Sequence, residues 1–220
     1  MRMDAGSLTR LGSRIYIGRV PAPDLCNELV AWSTLYPVPS APAERNDAAR
    51  MNEDRFLARF AGLAALDRDQ TAALIGWKFQ GMAHRKALAL RGISPERWED
   101  HDGLPGAAAV IRSALASSDD YQALAAMAGG VGGIYRFGPA MSSVILAACQ
   151  PRRFTVADSR ALKTVRRLGL MPPGPAEFRL EDWLPYLTTC RTLARTCGLS
   201  LRQLDRALWV GTSDPLPPSS

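Results

Sequence analysis

Asp158 stands where an extended run, Gln150 to Val156, meets an amphipathic stretch that continues to Leu168. A carboxylate at a helix start accepts N–H bonds from the first turn, which holds it ionised and fixed in direction. Arg160, Lys163, Arg166 and Arg167 fall on one face of that stretch, joined by Arg152 and Arg153 just upstream, while Ala161, Leu162, Val165 and Leu168 fall on the other. Two roles fit such an aspartate: a simple N-cap, or a lone negative charge within a surface that grips a polyanion. Amine nucleophiles are scarce. Lysine occurs only at Lys78, Lys86 and Lys163, so Schiff-base chemistry has three candidates.

The element before Asp158 has its own chemistry. Gly129, Gly130, Gly132, Gly133 and Gly138 cluster ahead of Ala140 to Cys149, a run of small and apolar residues that suits a buried helix. Glycine permits positive φ and close backbone approach. A helix start directly after such a turn offers free N–H groups and a dipole that bind phosphate without reading sequence.

The rest of the chain positions these parts. Its 220 residues and 47% hydrophobic content suffice for a packed core, and a net charge of +6 favours an anionic partner. Apolar spacing predicts helices over 53–66, 69–90, 106–116, from Asp119 or Asp120 to about Met127, then 140–149, 158–168, 181–197 and 200–209. Arg14 to Val20 alternates as one short strand would, and Val38 to Arg50 reads as a loop or helix lead-in. The expected organisation is an N-terminal appendage over 1–50, a helical domain over 51–210 and a flexible tail over 211–220. Cys26, Cys149, Cys190 and Cys197 form no C-x-x-C pair, and His84 and His101 are the only histidines, so no metal or other cofactor is expected. The cysteines read as reduced, mostly buried thiols of a cytoplasmic protein. No segment reaches the roughly 18 apolar residues of a membrane span, and Met1 to Arg14 lacks a signal-peptide core.

Tyr135-Arg136-Phe137-Gly138-Pro139-Ala140-Met141-Ser142-Ser143-Val144-Ile145-Leu146, followed by Phe154-Thr155-Val156-Ala157-Asp158, resembles the helix-hairpin-helix plus Gly/Pro-Asp element of the base-excision DNA glycosylase superfamily. The resemblance covers roughly residues 60–210, with its specific part in about 35 of them; Trp77-Lys78-Phe79 and the C-terminal helices fit an OGG-like bacterial branch. It implies a mainly α, helix-hairpin-helix glycosylase fold, acting as a monomer on double-stranded DNA that carries a damaged or modified base. Two departures stand out. Arg136 replaces the first hairpin glycine, unless Gly130-Val131-Gly132 is the hairpin. The lysine that lyase members carry two residues after the second hairpin glycine is Ala140 here, or Ile134 in the other register. The iron–sulfur cysteines of the endonuclease III branch are also absent.

The resemblance therefore implies a monofunctional glycosylase. The nucleotide flips from the duplex, Asp158 stabilises the cationic sugar as the N-glycosidic bond is hydrolysed, and an abasic site remains. Arg136, Gly138, Pro139, Ala140, Ser142, Arg152, Arg153 and Arg160 are the expected DNA contacts. Trp77, Lys78, Phe79, Gln80, Tyr135 and Phe137 are the expected base pocket or wedge, with core packing as the other reading of the aromatics. Oxidised purines, and hypermodified phage bases in an anti-phage role, are the candidate substrates. Three alternatives stay open: a bifunctional glycosylase/lyase using Lys78 or another lysine, a non-catalytic DNA-binding module, and a helical interaction protein.

Overall fold

The computed structural model describes residues 23–37, 42–129 and 132–212, and these form a mainly helical structure. Eleven α-helices follow in order: α1 (Pro23–Leu35), α2 (Ala43–Ala58), α3 (Arg68–Lys78), α4 (Ala83–Arg91), α5 (Pro95–Trp98), α6 (Ala107–Ala116), α7 (Asp120–Ala125), α8 (Pro139–Cys149), α9 (Ser159–Arg167), α10 (Trp183–Thr196) and α11 (Leu201–Val210). Among the described residues no strand occurs, only an isolated bridge between His101 and Leu104. The alternating segment 14–20 and the tail beyond Thr212 lie outside the described residues.

Two helices carry the core. α8 buries Met141 through Leu146 together with Ala148 and Cys149, as its all-round small and apolar composition predicts. α10 buries Trp183, Tyr186, Leu187, Cys190, Leu193 and Ala194 along one stripe. Leu184, next to Trp183, is 41% exposed. α3 and α7 pack on α8; α1 and α9 pack on α11. Burying each large apolar side chain contributes about 1.5–3 kcal/mol, so these contacts outweigh the modest propensity of the short helices.

Three differences from the sequence expectation matter. The helix expected over 69–90 is two helices: α3 ends at Lys78, Gly81 takes a positive φ of 76°, and α4 restarts at Ala83. Met82, just after the break, is 40% exposed. The break also makes Lys78 the last residue of α3 rather than a mid-helix residue. The helix expected over 53–66 begins earlier, at Ala43, so the boundary placed at residue 50 falls inside α2. A single buried cluster runs from Leu29 and Trp32 of α1 to Val210 of α11, which makes α1 and α2 part of the same packed body.

The third difference concerns the thiols. Cys26 of α1 and Cys197 after α10 form a disulfide across 171 residues of sequence, so the expectation of four reduced cysteines is corrected. Cys149 and Cys190 remain free and buried, and burial pushes both thiols up from their ordinary pKa. No helix of the described residues is long and apolar enough to cross a membrane.

Candidate active site

The hairpin comes first. Between α7 and α8 the chain turns back so that the Ile134 N–H donates to the Met127 carbonyl (3.3 Å) and the Phe137 N–H to the Ile134 carbonyl (3.0 Å). Arg136 sits in the left-handed region at φ 63°, where a glycine is the usual occupant. Gly129 and Gly132, just before it, also take positive φ, 85° and 87°. Gly92, at the end of α4, lets the turn pack down: a Cβ there would meet the Tyr135 carbonyl oxygen at 2.2 Å. Gly138 then caps α8, Pro139 fills the first helical position, and no side chain caps the first-turn N–H groups.

A hydroxyl joins this helix start to Asp158. Ser143 Oγ donates to the Ala140 carbonyl (3.0 Å) and accepts the Ala157 N–H (2.7 Å), entirely inside the core. From the other side, the Tyr186 hydroxyl donates to the Val156 carbonyl (3.2 Å). Residues 154–157 are thus pinned by α8 and α10, and the next residue is presented at the start of α9. Asp158 Oδ1 accepts the Arg160 N–H at 2.8 Å, the expected N-cap.

The other carboxylate oxygen has a partner that the sequence does not reveal. Lys78 Nζ donates to Asp158 Oδ2 at 2.8 Å, across 80 residues of chain. The two side chains are 13% and 22% exposed, so the pair is largely withdrawn from solvent yet reachable. Burial works against the Asp158 charge, but Lys78, the Arg160 N–H and the Arg160 guanidinium together outweigh it and hold the carboxyl below its ordinary pKa. Asp158 is therefore an anion at neutral pH with an amine on one oxygen.

An apolar cavity of about 260 Å³ is lined by chain neighbours of the pair, though by neither Lys78 nor Asp158 itself. Trp77, the neighbour of Lys78, forms part of its wall, as do Val144 and Ala148 of α8 and Phe154 and Val156 of the segment that leads to Asp158. Its polar lining comes from Thr155, from Asp54 of α2, and from Arg202 and Asp205 of α11. Arg202 donates to Asp205 and lies 2.5 Å from Glu53 Oε1; its guanidinium stacks 5.2 Å from the Trp77 ring centroid.

The expected site residues divide accordingly. Asp158 and Lys78 come together, and Trp77 lines the cavity. Phe79 is half-buried against the core and Gln80 is exposed outside the cavity lining. Tyr135 is 42% exposed, its ring flanked by Arg97 (4.4 Å) and Arg136 (5.0 Å), on the solvent side of the hairpin. Phe137 is 3% exposed and belongs to the core, which corrects its reading as a wedge. Ser142 is fully buried, so its hydroxyl cannot reach a phosphate. Arg153 is held by Asp120 (2.8 Å), the Ser117 carbonyl (2.7 Å) and Gln150 (3.2 Å), which commits it to packing rather than to DNA. Arg136, Arg152 and Arg160 are exposed, with Arg160 4.5 Å over the Trp209 ring. Gly138, Pro139 and Ala140 are half-exposed at the helix start. Sequence reasoning missed Ser143, Thr155, Arg202 and Asp205. The one available signal was a charged Arg-x-x-Asp-Arg set inside the otherwise apolar α11.

Comparison with protein families, with curated proteins and with solved structures finds no match to this chain.

Proposed function

We propose that the chain is a DNA glycosylase that excises a flipped base and that Lys78 attacks the sugar it leaves behind. The observation that carries this reading is the 2.8 Å contact between Lys78 Nζ and Asp158 Oδ2, with a cavity of about 260 Å³ walled by the neighbouring Trp77 and Val156. The hairpin element lacks the lyase lysine at Ala140, and α3 supplies an amine to the same carboxylate from elsewhere in the chain.

The chemistry balances with these two groups. As the C1′–N bond breaks, its electron pair leaves with the base, which takes a proton from the Lys78 ammonium. The Asp158 carboxylate stabilises the positive charge that develops on the sugar. The freed Lys78 lone pair then bonds C1′. Loss of a second proton from nitrogen and opening of the sugar ring give a Schiff base, from which the 3′-phosphate can be eliminated. The first-turn N–H groups of α8 and the exposed Arg136, Arg152 and Arg160 are suited to hold phosphates around the extruded nucleotide.

A second reading keeps Lys78 only as the charge partner that fixes Asp158, with water as the nucleophile and an abasic site as the product. The same ion pair favours it, because an ammonium bound to a carboxylate is a poorer nucleophile than a free amine.

Both readings share one test. Duplexes carrying single oxidised, alkylated, uracil or phage-type hypermodified bases are incubated with the protein, and free base is quantified. Release of one class by the wild type, lost in Asp158→Asn, is the expected result. Equal release by the two proteins, or none from any duplex, would reject the glycosylase assignment.

A further inference from the structure

The cavity lined by Trp77 and Val156 is apolar over most of its wall, which suits the faces of a base but does not distinguish one base from another. Discrimination has to come from the few polar groups at its edge. Two of them are incompletely paired. Asp205 is 6% exposed; its Oδ2 accepts from Arg202, and no hydrogen bond reaches Oδ1 among the described residues. Thr155 is 3% exposed, and its Oγ1 has no partner. Buried polar atoms are nearly always satisfied, and leaving one unpaired is costly, so the Thr155 hydroxyl, with the free Asp205 oxygen on the same cavity wall, points to a ligand that completes it.

We propose that Asp205, with Thr155, determines specificity by accepting N–H bonds from the edge of the flipped base, so that the substrate carries an exocyclic amino group. This rests on the glycosylase reading. A carboxylate accepts from amino groups and ring N–H groups and repels carbonyl oxygens. Diketo pyrimidines, which flank their single ring N–H with two carbonyls, present the wrong edge. The Thr155 hydroxyl can donate or accept, and so completes either an amino or a ring-nitrogen contact. Arg202 fixes the carboxylate in direction, and is itself held between Trp77 and Glu53.

The carboxylate is also placed to titrate. Burial pushes the Asp205 carboxyl up to about 6, with Arg202 opposing the rise. Asp158 and Glu53 add to it, and Lys78 works against it. Tyr36 after α1, and Tyr186 and Cys190 of α10, also face the group. Asp205 accepts bonds above about pH 6 and gains an O–H donor below it, which weakens its preference for amino-bearing edges.

The test measures base release from duplexes with a single 8-oxoguanine, N-alkyladenine, 5-hydroxymethylcytosine, uracil or thymine glycol, using wild type, Asp205→Asn and Thr155→Val. Wild type is expected to favour amino-bearing members over the two diketo pyrimidines. Asp205→Asn is expected to lower kcat/KM on the favoured base about tenfold or more, the factor for one charge-assisted hydrogen bond. It should also shrink the preference and abolish the decline in preference below about pH 6. Thr155→Val is expected to lower the same kcat/KM severalfold with an unchanged melting temperature, and it decides the matter if Asp205→Asn unfolds. Release with preference and pH profile unchanged in both folded variants overturns the base-reading role alone. A wild-type preference for uracil or thymine glycol does the same. No release from any duplex overturns the glycosylase reading and this one together.

Discussion

Replacing Lys78 with methionine removes the ammonium from Asp158 while keeping the length and packing of the side chain. The carboxylate is then left with the Arg160 N–H and the more distant Arg160 charge. Exposed pairs contribute about 0–1 kcal/mol, and removing one partner of a fully buried pair costs about 3–5 kcal/mol. At 13% and 22% exposure this pair lies between those limits. We expect Lys78→Met to cost about 2 kcal/mol at pH 7, or about 4–8 °C in Tm for a protein of this size. The pH dependence follows from the depressed Asp158 pKa: the stabilisation is present above the unfolded-state pKa and is lost as pH falls through the folded one. The difference between wild type and variant should therefore shrink in acid. The assay is thermal melting of wild type, Lys78→Met, Asp158→Asn and the double variant at pH 7 and in steps downward from the ordinary aspartate pKa. A coupling energy of about 1–2 kcal/mol at pH 7 that fades in acid is expected. Coupling indistinguishable from zero at pH 7, or a variant as stable as the wild type, would refute the pair as described.

Other perturbations test the parts that position this pair. Ser143→Ala leaves the Ala157 N–H without an acceptor inside the core; a loss of about 1–3 kcal/mol in denaturant titration is expected, together with slower base release. Arg136→Gly relieves a left-handed backbone, so a gain of up to about 1 kcal/mol is expected in the melt, while DNA binding weakens and its salt dependence falls by about one counterion. Cys26→Ser opens the link between α1 and the end of α10, and should cost about 2–4 kcal/mol against the oxidised wild type, a difference that disappears when both proteins are measured under reducing conditions.

Elements whose residues carry a strong local pattern were readable in advance. The stripe of α10, the uniform apolarity of α8 and the capping aspartates at 119 and 158 each state their own structure, because periodicity and capping are local physics. The break after Lys78 was less legible: Trp77 to Ala83 holds the apolar spacing of a continuous helix, and only Gly81 interrupts it. That one turn decides where Lys78 points. The Lys78–Asp158 contact, the Ser143–Ala157 bridge and the Arg202–Glu53 pair span long separations, and no short-range rule selects such partners. The glycine cluster leaves two hairpin registers, and positive φ falls at Gly129 and Gly132 as well as at Arg136, so backbone conformation does not choose between them. Residues chosen for type alone fared worst. Ser142, Phe137 and Arg153 had suitable chemistry, but packing had already claimed them.

Borohydride trapping tests the central claim most directly. The protein is incubated with a duplex containing the base it releases, reduced with sodium borohydride and resolved under denaturing conditions. The Lys78 mechanism predicts a covalent protein–DNA band in the wild type, carried on the peptide that contains Lys78, and its absence from Lys78→Gln. Base release by the wild type with no trapped band, or a band that persists in Lys78→Gln, would contradict it.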